Sequence, residues 1–229
     1  MGTLDGPRLP PQRPPATHLV VLCHGYGSDG NDLIGLAPHW RPLLPGAEFV
    51  SPNAPERCAM SPSGYQWFPL SRIDPHESLR GAEAAAPKLD AFIDEELARL
   101  NLAGDRLALV GFSQGTMMSL HVGLRRTVPP AAIVGFSGLL VGPEKLPRSP
   151  KPPPVLLLHG DADQVVPPGA LFMSANALAA IGVPVQWHMA RGLGHGIDPA
   201  GLAMAGRFLV DAFSGRSPRT GPVSTPFGK

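Results

Sequence analysis

Six short apolar runs recur along the chain, separated by stretches with helical spacing, and this alternation limits the fold more than any other feature. The runs are His18–Cys23, Glu48–Val50, Leu107–Val110, Ala131–Phe136, Val155–His159 and Val183–Met189. Each is apolar at nearly every position, as expected for a strand buried on both faces of a largely parallel sheet. The stretches between them predict helices. From Ser78 to Leu100 one face carries Leu89, Phe92, Ile93, Leu97 and Leu100, with Glu95 four residues before Arg99. Pro87 should kink that helix or mark its effective start. Gln114–Leu124, Gly169–Ile181 and Pro199–Phe213 complete the pattern, the last with Asp198 as N-cap and Pro199 at the first helical position. The pattern predicts an α/β fold with a mostly parallel central sheet and helices on both faces.

With 229 residues, of which 43% are hydrophobic, the chain suffices for one sizeable core and is short for two. The expected organisation is a Pro-rich arm over residues 1–16, extended and without the apolar core of a secretory signal, a single domain over 17–213, and a flexible tail over 214–229. Ser51–Pro75 and the proline-rich Gly142–Pro154 read as irregular connectors. Lys and Arg total 19 against 18 acidic residues, which gives no basic footprint for nucleic acid. No apolar run approaches the ~20 residues of a membrane span. Cys23 and Cys58 lack metal-like or CxxC spacing, so neither a disulfide framework nor a metal site is expected, and a reduced, cytoplasmic setting follows.

Against this frame, Gly111-Phe112-Ser113-Gln114-Gly115 lies where the third run meets a helix. A serine in that turn must adopt a strained backbone to lift its hydroxyl above the sheet, and the flanking glycines relieve crowding between strand and helix. As a nucleophile, Ser113 would need a histidine base and a carboxylate to orient it. Both occur downstream at strand ends. Asp161 and Asp163 follow the Val155–His159 run, and His195, between Gly194 and Gly196, follows Val183–Met189. Fifty residues separate Ser113 from Asp163 and thirty-two separate Asp163 from His195, enough in each case for a crossover helix and its strand. Taken singly, the serine could be incidental, the aspartates turn formers or helix caps, and the histidine a polar-turn residue. Their joint order is harder to attribute to turns alone. Spacing does not choose between the two aspartates. The turn His24-Gly25-Tyr26-Gly27 after the first run can aim backbone N–H groups outward, giving half an oxyanion hole, with the N–H of Gln114 as the other half. In that scheme the Tyr26 and Gln114 side chains need no special role, and His24 supports the loop.

These motifs, together with Pro52-Asn53-Ala54-Pro55, Trp67-Phe68, Ser137-Gly138, His159-Gly160-Asp161-Ala162-Asp163 and Val166-Pro167, resemble the phospholipase/carboxylesterase family of α/β-hydrolases. The resemblance spans most of the globular part. It implies the α/β-hydrolase fold, the triad Ser113, Asp163 and His195, and the Tyr26 and Gln114 backbone donors, and it selects Asp163 over Asp161. It further implies a cofactor-free serine carboxylesterase acting on small-molecule or lipid acyl esters, and it allows a homodimer. Lysophospholipase or acyl-protein thioesterase activity is the alternative within enzymes, and a non-catalytic binding protein on the same scaffold is the alternative outside them. Trp67 and Phe68 are candidates for the acyl-pocket wall, or else a hydrophobic cluster pinning a long loop.

Overall fold

A computed structural model describes residues 4–70, 74–216 and 220–223. In chain order its elements are β1 (Arg8–Leu9), β2 (His18–Cys23), α1 (Gly30–Ile34), α2 (Ala37–Trp40), β3 (Ala47–Val50), β4 (Glu56–Cys58), β5 (Ser61–Gln66), α3 (Pro75–Leu100), β6 (Leu107–Phe112), α4 (Gln114–Gly123), β7 (Ala132–Phe136), β8 (Val155–Gly160), α5 (Gly169–Ala180), β9 (Val185–Ala190), α6 (Pro199–Phe213) and β10 (Gly221–Pro222). Eight strands form one sheet in the order β1-β3-β2-β6-β7-β8-β9-β10. All of its pairings are parallel except that of β1 with β3.

The continuous apolar runs are explained by burial on both sides. In β2, Leu19, Val21 and Cys23 join one core while Val20 and Leu22 join the other; in β6, Leu107 and Leu109 oppose Ala108 and Val110. Side chains alternate across a strand, so each strand has to supply two cores. Helices α3, α4 and α5 cover the first face through residues such as Ile93, Met117 and Leu178. Helices α1, α2 and α6 cover the second through Leu33, Trp40 and Phe208. Trp40 is fully buried and its indole Nε1 donates to the Leu202 carbonyl of α6 at 2.9 Å, which ties two helices of that face together.

Several elements differ from the sequence-based expectations. The Asp74 side chain caps α3, and Pro75 takes the first helical position, so the helix starts before Ser78. Pro87 lies inside the helix and is exposed, as is Glu83, so the carbonyl left without a partner is on the solvent side. Arg99 pairs with Glu96 at 2.7 Å and with Glu48 rather than with Glu95. Glu96 and Glu48 are buried, and a buried carboxylate without a cation is costly, so they capture the guanidinium.

The Pro-rich arm is extended but enters the sheet. Arg8 and Leu9 pair with Val50 and Phe49, Ser51 and Asn53 donate backbone N–H bonds to Pro7 and Asp5, and Arg8 meets Glu96 at 2.6 Å. Flanking prolines lack donors, which confines the pairing to a short edge strand. In the tail, Gly221–Pro222 pairs with β9, and His188 Nδ1 lies 2.9 Å from the Val223 carbonyl. Residues 217–219 and 224–229 of the tail lie outside the described ones. The Ser51–Pro75 connector contains the β4–β5 hairpin, which its proline and serine content concealed.

Candidate active site

Ser113 occupies the turn between β6 and α4 with φ 53° and ψ −115°, a conformation that costs a non-glycine residue about 1–3 kcal/mol. Its N–H donates to the Phe136 carbonyl of β7 at 2.9 Å, and Thr116 Oγ1 lies 2.9 Å from both the Gly111 and the Phe136 carbonyl. These bonds bind the strained turn to two strands. The glycines are sterically required: a Cβ on Gly115 would approach the Cys23 carbonyl oxygen to 1.8 Å, and one on Gly111 would approach the Gly115 carbonyl oxygen to 2.3 Å.

Gly25 lies directly beside this turn, since a Cβ there would stand 3.0 Å from the Phe112 ring and 3.4 Å from Ser113 Cβ. Its loop is held from the other side by β5, where Gly27 N–H donates to Tyr65 O and Tyr65 N–H donates to Ser28 O. Buried His24 supports the same loop: its Nδ1 lies 2.8 Å from Gly25 O and its Nε2 accepts from Ala54 N–H at 2.9 Å. Burial lowers the His24 pKa, which keeps the acceptor nitrogen free of a proton. Among the described residues, no acceptor takes the backbone N–H of Tyr26 or of Gln114.

The Gln114 side chain has a role that the sequence reading assigned to no side chain at this position. It is buried; Oε1 accepts from Trp67 N–H at 2.9 Å and Nε2 donates to Phe68 O at 2.8 Å. Trp67 Nε1 in turn donates to His24 O at 2.9 Å. Trp67 and Phe68 are only 1% and 2% exposed and belong to the core.

His195 and Asp163 meet. His195 Nδ1 is 2.8 Å from Asp163 Oδ2, and the imidazole packs against Phe112, the neighbour of Ser113, with ring centroids 4.9 Å apart. No hydrogen bond joins Ser113 Oγ to His195 in this conformation. Such contacts are often long in a free site and tighten around substrate. Asp163 Oδ1 accepts from the N–H groups of Val165 and Val166 at 2.8 and 2.9 Å. Burial, the largest single influence, raises the Asp163 pKa, but the bonds from His195, Val166 and Val165 outweigh it and hold the carboxyl below its ordinary value. Asp161 makes no contact with His195. It is exposed and accepts from Gly192 N–H at 2.6 Å, which shapes the turn leading to His195.

Two neighbours of this pair, both in motifs that carry the family resemblance, have no role assigned from sequence. Ser137, at the end of β7 with φ 47°, donates from Oγ to Gly196 O at 3.1 Å and so ties the histidine loop to the sheet. His159 places Nε2 at 3.2 Å from Asp163 Oδ2. Its position in the His-Gly-Asp-Ala-Asp motif was visible in the sequence, but a strand-end histidine is not distinguishable there from a core residue. Among the described residues, no group of three or more His, Cys, Asp or Glu side chains could hold a metal ion, and Cys23 and Cys58 are unpaired.

Residues 5–212 match the phospholipase/carboxylesterase family profile. The chain belongs to this family. As a member of the phospholipase/carboxylesterase family it is a serine hydrolase of esters in the α/β-hydrolase superfamily. Its relatives include acyl-protein thioesterase 1 of Schizosaccharomyces pombe, 33% identical over 174 residues covering 70% of this chain and 74% of that one. Esterase YpfH of Escherichia coli is 28% identical over 193 residues, covering 83% and 81%. Among solved structures, esterase PE8 is 46% identical with a TM-score of 0.87, covering 92% of this chain and 100% of the other. Across the described residues, no helix of this family member is long and apolar enough to cross a membrane.

Proposed function

We propose that the chain is a carboxylesterase that hydrolyses small carboxylic esters through an acyl-enzyme on Ser113. The observation that carries this reading is the 2.8 Å contact of His195 Nδ1 with Asp163 Oδ2, on an imidazole packed against the residue next to the strained serine. In the proposed reaction His195 Nε2 takes the Ser113 proton as Oγ attacks the ester carbonyl. Asp163 holds Nδ1–H toward itself, which leaves Nε2 as the base and stabilises the imidazolium that forms. The oxyanion is met by the N–H groups of Tyr26 and Gln114, the latter at the positive end of α4. The histidine then protonates the departing alcohol and activates water against the acyl-serine, returning the free enzyme.

An acyl thioester substrate is the second reading, favoured by relatives named acyl-protein thioesterase such as the Schizosaccharomyces pombe protein. The same three side chains serve both reactions, since only the leaving group changes. A cytoplasmic homodimer without cofactor belongs to the same proposal.

The test is labelling by a fluorophosphonate and turnover of p-nitrophenyl esters and matched thioesters of increasing acyl length. Labelling and ester hydrolysis by the native protein, both lost in Ser113→Ala, are expected. Absence of both from native protein, with an active serine hydrolase run alongside, would refute the reading. Faster turnover of long-chain thioesters than of short esters would replace the first reading by the second.

A further inference from the structure

We infer that His159 is a positioning residue of the Ser113–His195–Asp163 site, acting through the Val165–Val166 turn that binds the carboxylate which orients His195. The inference rests on the serine-hydrolase reading above. His159 is 2% exposed and lies at the end of β8, four residues before Asp163. Its Nε2 faces two acceptors, the Val166 carbonyl at 2.9 Å and Asp163 Oδ2 at 3.2 Å. Neither acceptor can donate, so the proton of the ring sits on Nε2. Nδ1 is buried and has no hydrogen-bond partner among the described residues, so none of them competes at the other end of the ring for that proton.

Oδ1 takes the Val165 and Val166 N–H groups and Oδ2 takes His195 Nδ1–H, with His159 Nε2 3.2 Å from the same Oδ2. The two backbone donors alone would anchor one oxygen and leave the second free to swing. By bonding Val166 O the imidazole closes the turn whose N–H groups bind Oδ1, and by standing 3.2 Å from Oδ2 on the β8 side it limits that swing, which fixes the direction in which the carboxylate holds the His195 ring.

The discriminating set is His159→Gln, His159→Asn and His159→Leu, assayed for kcat and KM on a short p-nitrophenyl ester, for fluorophosphonate labelling rate, and by proton NMR for the low-field resonance of the His195–Asp163 bond. A glutamine amide reaches about as far as imidazole Nε2 and can donate to Val166 O; an asparagine amide falls short. Loss of the donor should lower kcat by about 10- to 100-fold through misplacement of the base, with little change in KM, and should move or broaden the low-field line. His159→Leu and His159→Asn should share this loss, whereas His159→Gln should restore most of kcat and the native line. Cooperative thermal unfolding of each variant shows that the comparison is between folded proteins, and if His159→Leu fails it, the asparagine and glutamine pair decides. Native kcat and an unmoved line in His159→Asn would overturn the inference while leaving the hydrolase reading intact. Equal impairment of the glutamine and asparagine variants would reduce His159 to a packing role and overturn it likewise. A native protein that neither labels nor turns over would instead remove the reading on which it rests.

Discussion

Replacing Gln114 with Leu deletes both hydrogen bonds that hold the Trp67–Phe68 backbone against the start of α4, without touching the backbone N–H proposed for the oxyanion. The Trp67 N–H and Phe68 C=O are left buried without their side-chain partner. Each orphaned group costs about 1–3 kcal/mol, so the substitution should destabilise the fold by roughly 2–6 kcal/mol. For a chain of this size one kcal/mol lowers Tm by about 2–4 °C, which puts the expected drop near 10 °C. Gln114→Glu should also destabilise, because a carboxylate can still accept from Trp67 N–H but sets an oxygen against the Phe68 carbonyl. Thermal and urea unfolding measure the stability, and kcat on a p-nitrophenyl ester reads the site. The oxyanion donor survives, so kcat should fall well short of the roughly 10²–10³ that loss of such a donor costs. A Gln114→Leu protein with Tm within about 2 °C of native would refute the buried clamp. A kcat loss of 10² or more at unchanged stability would show that the amide side chain itself meets the substrate.

The strain at Ser113 makes a separate prediction. Ser113→Gly should abolish labelling yet raise stability by about 1 kcal/mol, because glycine adopts φ 53° without the steric cost, as urea midpoints would show. His121, buried on α4 and pushed down to about 4 chiefly by burial and then by the Arg125 cation, binds its proton less readily folded than unfolded. Its depressed pKa therefore leaves stability whole above about pH 6.5 and erodes it as pH falls from there toward 4. With solvent screening allowed for, the loss is on the order of 1–3 kcal/mol, and His121→Leu should flatten that window in urea titrations at pH 7 and pH 4.5. Arg8→Ala should loosen β1 locally, speeding hydrogen exchange at the Ser51 and Asn53 amides more than at β2, while Arg99 keeps Glu96 paired. Uniform acceleration across the sheet would contradict a local latch.

The six strand runs, the Asp198-capped α6 and the tight turn at Ser113 were legible because each is a local pattern: two-faced burial makes a run continuously apolar, and a strand meeting a helix in so tight a turn demands glycine on both sides of the serine. The order of serine, acid and histidine was legible for a similar reason, since every crossover in a parallel sheet returns the chain to the same edge. Contacts between segments distant along the chain were not. Nothing near Arg8 announces that Phe49 and Val50 offer it an edge, and nothing in Gly-Phe-Ser-Gln-Gly announces that the glutamine amide grips a backbone 46 and 47 residues upstream. Spacing alone left Asp161 and Asp163 equivalent; the fold separates them by turning one carboxylate to Gly192 N–H in solvent and the other, buried, to His195 and His159. The sequence by itself therefore determined the six core strands and which residue types stand at their ends. The tertiary structure alone decided which buried polar atoms meet, because a hydrogen bond depends on the position and direction of two atoms that local periodicity does not encode.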